Sequence, residues 1–202
     1  MDSLALAFSS GWASGVNCYL VVLVLGVADR VGDLAEVPDV LGRWDVLGVA
    51  LFMYAVEFVA DKVPYVDSTW DAVSTAIRPT AGAVVGVLIA GQAHSLHGAV
   101  LGVVGGGTAL LSHLAKAGGR LALNTSPEPV TNITASIAED AVVLAVVWFA
   151  IAHPRAAALV AAVLLAAGLA LLAVVARLVR RGWARWRARR SRVHEPPQAV
   201  PR

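Results

Sequence analysis

Two long apolar segments place the strongest constraint on how this chain can fold. Residues 4–28 and residues 156–176 contain no charged side chain. Each segment is longer than the roughly 20 residues that a helix needs to cross about 30 Å of hydrocarbon. Inside a bilayer only helices and closed barrels satisfy every backbone hydrogen-bonding group, and these segments are continuously apolar, whereas barrel strands alternate. The sequence therefore predicts an all-α integral membrane protein.

The rest of the chain fits a polytopic transmembrane bundle of about six helices. Hydrophobic residues make up 58% of the sequence and charged residues 15%, against about 25% charged residues in soluble domains. Prolines and polar connections mark the ends of the predicted helices. We expect helices over residues 4–28, 46–62, 67–93 with an interruption at Pro79, 99–123, 136–153 and 156–177.

The C-terminal segment is strongly basic, since nine of the 16 Lys and Arg residues lie at or beyond Arg177. We divide the chain into a transmembrane domain, residues 1–178, and a basic tail, residues 179–202, which we expect to be partly disordered. Basic residues beside a membrane helix stay in the cytoplasm, so the C-terminus is predicted to be cytoplasmic. Six crossings would place the N-terminus there too. Trp183 and Trp186 favour an interfacial anchor, and no nucleic-acid partner is expected.

A weak internal similarity suggests that the bundle consists of two halves with three helices each. Residues 9–15 in the first predicted helix align with residues 112–119 in the fourth, with one gap. Because three is odd, the halves would have opposite orientations, which is the inverted repeat typical of transporters. A competing register, which aligns residues 64–67 with residues 129–132, leaves the repeat open.

Two pairs of oppositely charged residues lie inside the predicted helices. Glu57 and Asp61 share one face of the second helix, and Lys116 and Arg120 share one face of the fourth. An unpaired charge in a bilayer costs at least about 2.5–3.5 kcal/mol, so these side chains should face partners in the bundle. They form either a structural ion-pair ladder or, together with the amide of Asn17, a pathway for an ion or small solute. Glu57 would then carry a proton or contact a cation.

Arg78, Lys116, Arg120 and Asn124 offer a second interpretation. Arginine binds phosphate and carboxylate groups in a bidentate way, so these residues would hold a small anion or an anionic lipid headgroup. This interpretation defines the alternative function, an anionic-lipid-binding or membrane-organising protein without transport activity.

Other polar features have simpler structural explanations. Ser68 with Asp71 and Ser136 with Glu139 have the spacing of a capping box at the start of a helix. The glycines at residues 105–107 allow close helix packing or, alternatively, a local break that exposes backbone carbonyls.

No set of residues indicates a catalytic or metal site. His94 and His97 share a turn, whereas His113 lies roughly four helical turns farther along, so no common metal site is expected. The sequence contains no glycine-rich phosphate loop, nucleophile elbow or metalloprotease motif. We therefore expect neither enzymatic activity nor a cofactor. Cys18 is the only cysteine, so an intrachain disulfide cannot form.

A set of short motifs extends over roughly residues 5–155. The motifs are residues 57–64, 66–68, 78–79, 116 with 120, 124–127 and 136 with 139–140. Together they resemble the DUF4126 family of bacterial membrane proteins. Since this family has no assigned function, the resemblance implies a bacterial cytoplasmic membrane and a shared pattern of charged positions, without a mechanism.

The leading hypothesis from the sequence is a small transporter or channel whose site lies between the second and fourth predicted helices. Six short helices make a thin wall around a pathway, so we expect a homo-oligomer, with a dimer as the simplest assembly. The lipid bilayer is the expected partner, and the basic residues add anionic lipid as a second one.

Overall fold

The computed structural model describes residues 2–32, 34, 37–63, 65–91, 95–123 and 129–193. The described residues form six α-helices and one short 3-10 helix, with no strand among them, which confirms the all-α prediction. The helices are α1 (Asp2–Gly32), the 3-10 helix (Asp39–Gly42), α2 (Trp44–Ala60), α3 (Val66–Ile89), α4 (Leu96–Leu123), α5 (Pro129–Ala152) and α6 (Pro154–Val193).

Five of these helices are long and apolar enough to cross a membrane by length and composition, namely α1, α3, α4, α5 and α6. The remaining helix, α2, has 17 residues, which places it at the lower end of the roughly 17–25 residues of known spans. The chain is therefore a multi-pass membrane protein.

The structure differs from the sequence prediction in α3, α5 and α6. α3 continues through Pro79, because its flanking turns are held against α4 by the close approach of Gly82 to Gly105. α5 begins at Pro129, since proline is well suited to the first position of a helix. α6 runs on through the arginine-rich segment to Val193, where Ala and Arg both favour helix.

α1 is broken in its middle. Asn17 has an extended backbone (φ −153°, ψ 96°) between two helical arms, the first arm (residues 2–16) and the second arm (residues 18–32). The Asn17 Oδ1 atom accepts a hydrogen bond of 3.0 Å from the backbone N–H of Leu20. Asn17 therefore acts as the N-cap of the second arm. At 1.5 Å per residue each arm is about 22 Å long, which is too short to cross about 30 Å of hydrocarbon.

The second arm turns back toward the end of the bundle from which the first arm came. Gly15 lies level with Arg78, which donates a hydrogen bond to its carbonyl oxygen. A straight α1 would carry Val22 about two turns beyond Arg78, toward the N-terminal end of α3. Val22 borders a cavity that α3 lines from Ala76 to Leu88, and Gly26 of the second arm lies against Leu47, near the start of α2. Because α2 passes from Glu57 beside Arg78 to Asp61 beside Arg120, toward the N-terminal end of α3, its start lies toward the opposite end. α1 is thus a re-entrant helical hairpin with Asn17 at its tip.

The first arm of α1 runs parallel to α4. Three hydrogen bonds join the two helices at a constant sequence separation of 100 residues. They run to backbone oxygens of Phe8, Trp12 and Val16 from the side chains of Thr108, Ser112 and Lys116. An inverted repeat would require these two helices to be antiparallel, so the predicted three-plus-three inversion is not confirmed.

The two ends of the described chain lie at opposite ends of the bundle. Asp2 pairs with Arg155 at 2.7 Å, beside the start of α6, and Ser3 contacts His97 in the first turn of α4. The C-terminal part of α6 lies one full helix length away from Arg155. The expectation that both termini share a side is therefore corrected, because the reversal of α1 removes one crossing.

Gly105 of α4 lies at a close contact between helices. α4 is a continuous helix through residues 105–107, so no local break occurs there. A Cβ atom on Gly11 of α1 or on Gly82 of α3 would collide with the backbone of Gly105. Glycine at these positions lets α1, α3 and α4 approach closely, which brings their polar side chains within reach of one another.

The hairpin predicts that positions 2 and 181 face opposite sides of the membrane. In a Cys18→Ser background, single cysteines at Asp2 and Arg181 should react with an impermeant maleimide from opposite sides of oriented vesicles. The parent chain supplies the control, because Cys18 is buried and should not be labelled. Reaction of both positions from one side would contradict the re-entrant hairpin.

Candidate functional site

A buried network of charged side chains lies at the tip of the α1 hairpin, where α2, α3, α4 and α5 meet. Seven of its eight side chains are at most 4% exposed, and the eighth, Glu139, is 27% exposed. We call it the charged network. Its members are Glu57, Asp61, Asp67, Asp71, Arg78, Lys116, Arg120 and Glu139.

Arg78 occupies one end of the charged network. Its guanidinium donates a 2.5 Å hydrogen bond to Glu57 Oε1 and lies 3.0 Å from Asp71 Oδ1. The same Nη1 atom lies 2.9 Å from Nδ1 of His113 and 3.3 Å from the carbonyl oxygen of Gly15. Arg78 thus joins two carboxylates, a histidine and the backbone of α1.

Lys116 occupies the centre of the charged network. Its ammonium group lies 2.8 Å from Asp61 Oδ2, 3.5 Å from Glu139 Oε2 and 3.8 Å from Glu57 Oε1. It also donates a hydrogen bond of 3.0 Å to the carbonyl oxygen of Val16. A single ammonium group therefore contacts three carboxylates from α5 and the C-terminal end of α2.

Arg120 occupies the other end. It donates hydrogen bonds of 2.7 and 3.3 Å to the two oxygens of Glu139 and one of 2.8 Å to the backbone oxygen of Asp61. Asp67 Oδ2 lies 3.7 Å from its Nη1 atom and also accepts a bond of 3.4 Å from Asn132. Acids and bases alternate from Asp71 through Arg78, Glu57, Lys116, Asp61 and Arg120 to Asp67.

The break in α1 is stabilised by these charged side chains. The Val16 carbonyl loses its helical partner because the N–H of Leu20 bonds to Asn17, and Lys116 takes its place. At the start of the second arm, Asn17 Nδ2 donates a 3.0 Å hydrogen bond to Asp140 Oδ1. Cations therefore lie at the C-terminal end of the first arm and a carboxylate lies at the N-terminal end of the second. Both placements complement the helix dipoles.

Carboxylates outnumber cations in the charged network by five to three, counted over the residues that the structure describes. Glu57 Oε2, Asp61 Oδ1 and both oxygens of Asp71 have no hydrogen-bond donor among those residues. The Asp71 Oδ1 atom is close to Arg78, but the angle is not that of a hydrogen bond. Buried carboxylates in excess are costly unless a proton or a cation neutralises them. The site therefore has the composition of one that takes up positive charge.

The structure brings together most of the residues that the sequence singled out. Glu57, Lys116, Asp61 and Arg120 follow one another in a series of ion pairs, and Asn17 lies beside them at the hairpin tip. Arg78, which the sequence assigns to a possible anion site, contacts the carboxylates of Glu57 and Asp71. Asn124 lies outside the described residues.

The roles of two acidic segments differ from those expected. α3 begins at Val66, so Asp71 lies in its second turn and faces Arg78 instead of capping the helix. α5 begins at Pro129, so Glu139 and Asp140 lie about three turns inside it. The sequence did contain a signal that Asp71 pairs with Arg78. The spacing of residues 67, 71 and 78 places all three side chains on one face of α3.

Arg78→Gln should destabilise the protein by about 3–5 kcal/mol, because it leaves Asp71 buried without a cation and Glu57 with only the 3.8 Å contact to Lys116. The double variant with Asp71→Asn should recover part of this loss, since it removes one of the two stranded charges. Thermal unfolding in detergent measures both effects.

Arg155→Gln is the matched control, because that residue forms an exposed pair with Asp2 and should cost only about 0.2–1 kcal/mol. An Arg78→Gln protein that unfolds at the same temperature as this control would show that the buried ion pairs do not stabilise the fold.

Comparison with known proteins identifies the family. The model of the family described as "Domain of unknown function (DUF4126)" matches residues 4–174, which extends the motif resemblance into α6. No curated protein and no solved structure matches the chain. Because the match covers most of the sequence, including every member of the charged network, the chain belongs to the DUF4126 family.

Proposed function

We propose that the protein transports a cation across the membrane, and that protonation of buried carboxylates is part of the cycle. The observation that carries this proposal is the excess of carboxylates in the charged network, with four oxygens that lack a hydrogen-bond donor among the described residues. Ionisable side chains within membrane helices are expensive, and in pumps and transporters they form proton and ion relays.

The hairpin tip of α1 supports the same function. Discontinuous helices place backbone carbonyls and helix ends near the bilayer midplane, where many transporters bind their substrates. Here the carbonyls of Gly15 and Val16 are held by Arg78 and Lys116. If a cation or proton neutralises the neighbouring carboxylates, these two bases can shift, so the tip is mechanically linked to the charge state of the site.

A cation is favoured over an anion as the transported species, because each basic side chain of the charged network is already paired with carboxylates. Arg78 contacts two carboxylates, and Lys116 and Arg120 contact three each. An anionic headgroup would have to displace these partners from side chains that are at most 3% exposed.

The alternative function, binding of anionic lipid, is favoured by a different set of residues. The C-terminal part of α6 exposes Arg177, Arg180, Arg181 and Arg185 together with Trp183. Arginines beside an interfacial tryptophan attract anionic headgroups at the membrane surface. We assign this segment to membrane anchoring, and the charged network to transport.

We further propose an orientation and an assembly. The arginine-rich end of α6 supports a cytoplasmic C-terminus, with the protein in the plasma membrane of a bacterial cell. The charged network lies in the cytoplasmic half of the bundle in this orientation, and Asp2 lies on the other side. A homodimer is the expected assembly, because the crossing helices of one copy make a thin wall.

Glu57→Gln should reduce cation flux at least tenfold in liposomes, because it removes the carboxylate shared by Arg78 and Lys116. Proton flux is measured first, with a pH-sensitive dye inside the vesicles and an imposed membrane potential, followed by Na⁺ and K⁺. Asp71→Asn should have the same effect, while Asp45→Asn, an exposed carboxylate, should leave flux unchanged.

Each variant is compared with wild type for elution volume and melting temperature, so that lost flux is not confused with lost folding. Equal flux in wild type, Glu57→Gln and Asp71→Asn would contradict the proposed pathway. Absence of flux for every cation tested, from folded wild-type protein, would refute transport.

A further inference from the structure

An amphipathic cavity lies between α4 and α6, next to the charged network. Its volume is about 480 Å³, within the roughly 300–1,000 Å³ of small-molecule sites. Trp12 of α1 and Glu139 of α5 also border it. A proton or a bare metal ion needs no space of this size.

The charged groups that line this cavity differ in accessibility. Glu139 is 27% exposed, whereas Lys116 is 3% and Arg120 is 1% exposed. Both bases are held by Asp61 behind them as well as by Glu139. The hydroxyl of Ser112, which also lines the cavity, donates a hydrogen bond to the backbone oxygen of Trp12. A molecule that enters the cavity therefore meets a carboxylate first.

The walls of the cavity are apolar. α6 contributes Leu164, Leu165, Leu171 and Val175, and α1 contributes the ring of Trp12. Apolar groups of a ligand can pack closely against such walls, as side chains of neighbouring helices do inside a membrane. The indole ring adds a favourable surface for positive charge.

The cavity lies beneath a peripheral helix. Most residues of the membrane-crossing part of α6 are exposed on the surface of the bundle, and the helix rests on α4 at Leu172 against Gly118 and at Gly168 near Ala115. These contacts between small and apolar side chains hold α6 without hydrogen bonds at that point. An apolar molecule dissolved in the bilayer can therefore approach the cavity from the lipid along α6.

We propose that this cavity is the binding site for an amphipathic organic cation, whose charge pairs with Glu139 and whose apolar groups pack on Trp12 and α6. The inference rests on the proposed function and names the class of its cargo. Binding draws Glu139 away from Lys116 and Arg120, so that Lys116 shifts toward Asp61 and Glu57 and its hydrogen bond to the hairpin tip changes. The cavity and the tip are thus connected through one ammonium group.

Tetraphenylphosphonium and tetraphenylborate are the probes, because they have the same shape and opposite charge. Equilibrium dialysis of the purified full-length protein in detergent measures the affinity for each. We expect tetraphenylphosphonium to bind at least tenfold more tightly than tetraphenylborate, and Glu139→Gln to weaken its binding at least tenfold.

A cavity-filling variant tests the location. A Cβ atom on Gly119, which lines the cavity, meets no neighbour within 4 Å, so Gly119→Leu should occupy the space without disturbing the fold. Gly107→Leu is the matched control, since Gly107 also lies on α4 with open space around it, away from the cavity. Binding should be lost in the first variant and retained in the second.

The outcomes separate this inference from the proposed function. Preference for tetraphenylborate, equal affinity for both probes, or binding that survives Gly119→Leu would overturn the inference, whatever the flux assay shows. Glu57-dependent proton or metal-ion flux without tetraphenylphosphonium binding would support transport and refute this cargo. Binding at the cavity without any flux would support the site and refute transport.

Discussion

The hydrogen bond between Lys116 and the carbonyl oxygen of Val16 joins the two features on which the whole arrangement depends. One is the reversal of α1 at Asn17, which frees that carbonyl in the interior of the bundle. The other is the group of carboxylates that Lys116 contacts. A free carbonyl in hydrocarbon is costly, and so is an unpaired ammonium group. Each therefore satisfies the other, and neither would be tolerated in the bilayer alone.

Stability alone does not account for so many buried charges. The free-energy cost of removing two ions from water often exceeds the attraction between them. Proteins in which a buried ion pair is replaced by apolar residues are therefore frequently as stable as the original. α1, α3 and α4 already pack closely at Gly11, Gly82 and Gly105, so the charges are not needed to bring these helices together. A fully matched set would also contain equal numbers of acids and bases. The surplus of carboxylates is the observation that supports the proposed role, in which the site gains and loses positive charge.

The fold class and the two charged pairs, Glu57 with Asp61 and Lys116 with Arg120, could be predicted from the sequence, because each depends on a local signal. Charge-free runs mark the membrane helices, and the four-residue spacing of Glu57 with Asp61 places both on one face. The reversal at Asn17 has no such signal, since apolar residues continue on both sides of it and no proline marks it. It depends on Lys116 and Asp140, which come from distant parts of the chain. Asp71 was missed because its capping spacing offered a local explanation that the actual start of α3 removes.

The order of groups along the charged network suggests how a change at its edge reaches its interior. Glu139 is the accessible member, and it shares Lys116 and Arg120 with Asp61. In the proposed mechanism, a ligand that neutralises Glu139 leaves both bases with fewer partners, and they are drawn more strongly to the inner acids. Lys116 is then balanced between Asp61 and Glu57, and Glu57 in turn holds Arg78. Because a low-dielectric interior screens charges weakly, this redistribution extends to the hairpin tip.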